Sequence, residues 1–329
     1  ITGKKAVLEA AYNNKGAILD AYHVIHENGL GKYGAILVLP AINVVAPGYY
    51  QLLNIEGYTY EDLRADALVG LEMVKIAKES QLLDILVNRG SAVVDYNDAV
   101  ETAYEIMMQV FELRILGNNS LERIAQYTLE KYVYGKTIAG VTITNCLLDF
   151  SNVDAHYDAL LLKDIMHEAT TILTNSGITT LGQLKAHMNR SGVKEILINE
   201  DNLDSIANII TIASEMTLVK TNIVNVWNNL VLPKLEGRNL DRFVKYEGAT
   251  PEQLLDDVRK GAQIIIALND LGIVEVYRGA DINYDQVPEV KALLNLIADL
   301  NYFEIDQQTI FDLIASKVSA LYHYNVSPQ

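Results

Sequence analysis

The sequence predicts an all-α protein made of tandem helical units of about 95 residues, about four helices each, stacked as an array or solenoid-like rod. Three observations carry that expectation. The stretch Glu56-Gly57-Tyr58-Thr59-Tyr60-Glu61-Asp62-Leu63-Arg64-Ala65-Asp66 returns in part as Glu247-Gly248-Ala249-Thr250-Pro251-Glu252-Gln253-Leu254-Leu255-Asp256-Asp257, which keeps the Glu-Gly pair, the Thr, a Glu, a Leu and an Asp. Leu37-Val38-Leu39-Pro40 returns letter for letter as Leu230-Val231-Leu232-Pro233, in a register that agrees with the first echo to within two positions. Between the echoes, apolar residues recur at steps of three and four, the spacing of one helical face. Half the offset falls near Asn152, where Val153-Asp154-Ala155-His156-Tyr157-Asp158-Ala159-Leu160 opens another apolar run without the Glu-Gly pair.

The units expected are residues 1–47 as the end of a preceding unit, then 48–149, 150–233 and 234–329. In the first complete unit, Leu63, Ala67, Leu71, Val74 and Ala77 share a helical face. A short helix over Gln81 to Val87 should stop at Asn88-Arg89-Gly90, glycine supplying the left-handed residue after it. Asp95-Tyr96-Asn97-Asp98 offers N-cap residues to a helix carrying Ala103, Ile106, Met107, Val110 and Leu113 on one side. Gly117-Asn118-Asn119-Ser120 turns the chain into a helix with Leu121, Ile124, Ala125, Thr128 and Tyr132. Val141-Thr142-Ile143-Thr144 alternates as a short strand would.

The second unit should open with a helix bearing Leu161, Ile165, Ala169 and Ile172, halted at Asn175-Ser176-Gly177. A short helix around Leu181 and Leu184 should end near Asn189-Arg190-Ser191-Gly192. Asn199-Glu200-Asp201-Asn202 caps a helix with Leu203, Ile206, Ala207, Ile210 and Ala213, and Ile223, Val226, Trp227 and Leu230 mark a last helix before Pro233. The third unit starts with Thr250 as cap and Pro251 at the first helical position. Its core face is Leu254, Val258, Ala262, Ile265 and Leu268, and Leu271-Gly272 ends it. Leu293, Leu296, Ile297 and Leu300 follow on one helix, and Ile310, Leu313, Ile314, Lys317 and Leu321 on the next.

Half of the 329 residues are hydrophobic, enough for a core in each unit. The formal charge of −16 argues against a nucleic-acid backbone or an anionic lipid surface as partner. One cysteine, Cys146, leaves no intrachain disulfide and no thiolate metal cage. The most apolar run, residues 35–47, is short for a bilayer and is broken by Pro40, Asn43 and Pro47, so no membrane insertion is expected within this chain. The chain opens at Ile1 inside a helical pattern, as a piece of a longer protein would.

An Arg-Gly signature recurs once per unit, at Arg89 with Gly90, Arg190 with Gly192, and Arg278 with Gly279. It is followed each time by acidic clusters that include Asp95, Asp201 and Asp281. These six charged residues are the repeated candidates for an interaction surface; their alternative is structural, with glycine ending a helix and arginine capping carbonyls. Asp281-x-Asn283-x-Asp285 begins like a calcium loop but has Gln286 where such a loop needs glycine and Ala292 where it needs glutamate. His23, His26 and Glu27 could share a helical face, yet their order fits no zinc-protease pattern. No phosphate loop, dinucleotide fingerprint, nucleophile elbow or kinase signature is present.

These residues imply no catalytic group, cofactor or metal. The expected function is a non-enzymatic stalk, spacer or binding scaffold of a larger bacterial surface protein, displayed at the cell surface or secreted. Its partner would be another protein or neighbouring repeats of the same chain. In organisation alone it resembles the long helical-repeat regions of bacterial surface proteins. The alternatives are a cytoplasmic α-solenoid scaffold gripping a protein partner, and an enzyme with its site between units, for which His23, His26 and the Arg-acid clusters would be the candidates.

Overall fold

The computed structural model describes residues 6, 9–10, 12–28, 52–54, 57–81, 85, 91–117, 120–138, 141–142, 148–236, 250–272 and 287–301. Several expectations fall outside these residues: the Leu37–Pro40 echo, the stop at Asn88-Arg89-Gly90, Cys146, Glu247-Gly248, Arg278, the Asp281–Asp285 cluster and the helix from Ile310. Among the described residues the protein is all-α, apart from a two-residue antiparallel ladder that pairs Thr137 with Thr142 and Ile138 with Val141, and an isolated bridge between Val93 and Thr180. The chain divides into two compact units, Ile1–Val193 and Lys194–Gln329.

In the first unit, α1 (Lys15–Glu27) packs on α2 (Tyr60–Glu79), α2 on α3 (Tyr96–Phe111), and α3 on α5 (Ala155–Asn175). A single 3₁₀ turn, Arg114–Leu116, follows α3 and lies against α2, and α4 (Ser120–Tyr132) leads into the ladder. Local chemistry sets the helix starts. The Thr59 hydroxyl accepts from the Asp62 N–H while the Asp62 carboxylate accepts from the Thr59 N–H, a reciprocal capping box. Asp95 starts α3 by accepting from the Asn97 and Asp98 N–H groups, and Asp154 starts α5 by accepting from Tyr157. Gly177, at φ +69°, ends α5 where the sequence placed a stop.

Two sequence expectations need correction here. Ala103 is exposed, whereas Val100 and Thr102 are buried. The reason is that α3 lies between α2 and α5 and covers two faces, where a one-sided amphipathic pattern allows for one. Asn189-Arg190-Ser191-Gly192 is also more than a stop: α6 (Leu181–His187) ends before it, but α7 (Arg190–Leu197) begins inside it. The Asn189 carboxamide oxygen accepts from the Ser191 and Gly192 N–H groups. Gly192 is needed for space, since a Cβ there would lie 2.5 Å from the His187 carbonyl oxygen.

The second unit centres on α11 (Pro251–Asp270). It packs against α8 (Leu203–Glu215), α9 (Thr217–Val226) and α12 (Val287–Ala298). Leu254, buried to 2% exposure, sits among Ile223, Val224, Trp227, Leu232 and Leu235. Thr250 and Gln253 form the capping box, Pro251 takes the first helical position and Gly272, at φ +63°, follows the end of α11. The helix expected to finish before Pro233 instead continues through it. After α9 comes one π-helical turn, Trp227–Val231, and then α10 (Leu232–Glu236). Pro233 has no N–H to donate, and in a regular helix its ring would press on the carbonyl one turn back. The wider π turn just before it gives that ring room.

Candidate functional site

A polar constellation that spans two elements gathers at the start of α2. Asp66, seven positions after the Thr59 cap, is buried at 9% exposure. Its carboxylate accepts from the Arg114 and Ile115 N–H groups, both at 2.8 Å, and from the Tyr58 hydroxyl at 2.9 Å. One side chain therefore fixes the 3₁₀ turn that follows α3 onto the first turns of α2. Asn54 N–H donates to the Ile115 carbonyl at 2.7 Å and seals the turn from its other side. Arg114 then reaches back to Asp62 at 3.0 Å. The Asp62 carboxyl is held below its usual range, first by the Thr59 hydroxyl and backbone N–H and then by the Arg114 guanidinium.

Tyr58, Asp62 and Arg114 of this group, with Asn54, Gly57, Phe111, Glu112 and Gly117, line an open cleft of about 580 Å³. Gly117, at φ +72°, also keeps clear of Asn54, whose Nδ2 would stand 2.9 Å from an added Cβ. Chemically, the cleft presents both signs of charge and two aromatic edges. Its arginine is already committed to Asp62.

The same device occurs in the second unit. Asp257, seven positions after the Thr250 cap, accepts from the Asn301 N–H at 2.6 Å and from its side-chain amide at 3.0 Å. The neighbouring Asp256 takes a second Asn301 amide bond at 2.7 Å and pairs with Lys260 at 2.8 Å, and its carboxyl is lowered by Lys260 and then Asn301. In both places a carboxylate on the second turn of a Thr-capped helix captures backbone N–H just after a later helix, two groups in the first copy and one in the second. The side chains beside it differ: Tyr58 and Arg114 complete the first copy, Asp256 and Lys260 the second. No family model, curated protein or solved structure matches the chain.

Two further ionic ties join helices within their own units. Glu101 on α3 pairs with Lys163 at 2.7 Å and with His167 at 3.1 Å on α5. Glu215, at the end of α8, pairs with Lys220 at 3.0 Å and with Arg259 of α11 at 2.5 Å. Both carboxyls lie below their usual range, Glu101 chiefly through Lys163 and Glu215 chiefly through Lys220.

Of the candidates read from the sequence, Asp95 caps α3, and its own N–H donates to the Gln81 side chain at 2.9 Å. Asp201 lies exposed in the 3₁₀ turn Glu200–Asn202, where its N–H donates to Asn199. Arg190 is the first residue of α7, with its side chain outside the described set. Arg89, Arg278 and Asp281 also lie outside it. Asp95 and Asp201 belong to different compact units. His23 pairs with Glu27 at 3.0 Å on an exposed face. Among the described residues, no group of three or more metal-ligating side chains converges, and no helix is long and apolar enough to cross a membrane.

Sequence reasoning did not single out Asp66 and Asp257 for a role. The signal was present, since both close the eleven-residue echo in the same register.

Proposed function

We propose that this chain is a non-enzymatic structural or protein-interaction segment, a stalk, spacer or binding scaffold, of a larger bacterial surface protein built from tandem helical units. The observation that carries the reading is the duplicated device: Thr59–Leu63–Asp66 and Thr250–Leu254–Asp257 each combine a capping Thr, a buried Leu and a carboxylate that ties down a later turn. Two copies of one fold-stabilising pattern in register are what duplication of a helical unit leaves behind. The units proposed are those delimited above at residues 48–149, 150–233 and 234–329. The second of them follows the helical plan without the Glu-Gly pair, and its first helix is capped by Asp154. The strongly acidic composition suits a solvated rod that repels polyanions.

Protease shaving of intact source cells tests the location. Trypsin should release Tyr246–Arg259 ahead of any cytosolic marker. Appearance of that peptide only after lysis would overturn the surface assignment and turn the search to a cytosolic protein partner.

A further inference from the structure

We draw no further inference here: the strongest candidate, the open polar cleft between the start of α2 and the 3₁₀ turn after α3, belongs to the Asp66 tie already described, and its arginine is held by Asp62, so nothing in it points to a ligand.

Discussion

Replacing Asp66 by Ala would strip the acceptor from the Arg114 and Ile115 N–H groups and from the Tyr58 hydroxyl in one step. Hydrogen bonds to charged groups contribute about 1.5–3 kcal/mol each, and buried donors left unmade carry a desolvation penalty. The expected loss for Asp66→Ala is about 4–5 kcal/mol, against about 1.5–2 kcal/mol for Tyr58→Phe, which removes a single donor. Urea denaturation of both variants measures the ratio; equal losses would show that the backbone N–H groups do not depend on Asp66. Glycines give a second contrast at this scale. Gly70 and Gly261 lie within α2 and α11 with nothing within 4 Å of an added Cβ, so Ala at either should stabilise by up to about 1 kcal/mol. Gly192→Ala should instead destabilise by about 1–3 kcal/mol, because its Cβ would meet backbone of His187 that cannot swing aside. A Gly192→Ala protein as stable as the parent would remove close approach as the reason for that glycine.

At the scale of elements, the ionic ties set how the helices respond to acid. Asp62, Glu101, Glu215 and Asp256 all have carboxyls lowered by their partners in the folded protein. A carboxyl lowered on folding contributes its full stability above the unfolded value of about 4, and loses it as the pH falls through the lowered folded value. The thermal midpoint should therefore hold near neutrality and decline below about pH 4. A Glu101→Gln, Glu215→Gln double variant should show a shallower decline and only a small change at pH 7, since both pairs are substantially solvent-exposed. Thermal melts over a pH series decide it; an acid limb as steep as the parent's would place the protonation sites elsewhere. These ties also mark how far sequence reading reaches. Helix ends are written in neighbouring residues, so Asp95, Thr250-Pro251, Gly177 and Gly272 could be read directly. The backbone N–H partners of Asp66 and Asp257 lie more than forty positions away, and no local periodicity encodes which distant N–H a carboxylate will meet. The two-sided burial of α3 and the π turn before Pro233 escaped for the same reason. Each depends on what packs against the helix or how the whole turn widens. Among the candidate charged residues that the structure describes, Asp95 has a capping role whose signature is short enough to read.

At the scale of the whole chain, the two echoes and the compact units place the cuts differently, and fragments distinguish them. A tandem-unit boundary after Pro233 would isolate 234–329. Within the compact unit from Lys194 onward, however, Leu254 packs against Ile223, Val224, Trp227 and Leu232, and Arg259 pairs with Glu215. All of those partners precede Pro233. Cutting there would uncover the face of α11 that carries Leu254 and remove α8 and α9 from it. Exposing two large side chains costs roughly 3–6 kcal/mol, much of the 5–15 kcal/mol that a typical domain has. The fragment 194–329 should therefore unfold in one cooperative transition, while 234–329 should show reduced helix content and no sharp transition. Circular dichroism melts of the two fragments beside the full chain provide the comparison. A 234–329 fragment that melted cooperatively and as high as 194–329 would show that α11 does not need α8 and α9. Self-sufficient units cut at Pro233 would then be the better description. If 194–329 alone is cooperative, the sequence echo marks where a helical pattern restarts, and the partners that complete its core begin some forty residues earlier.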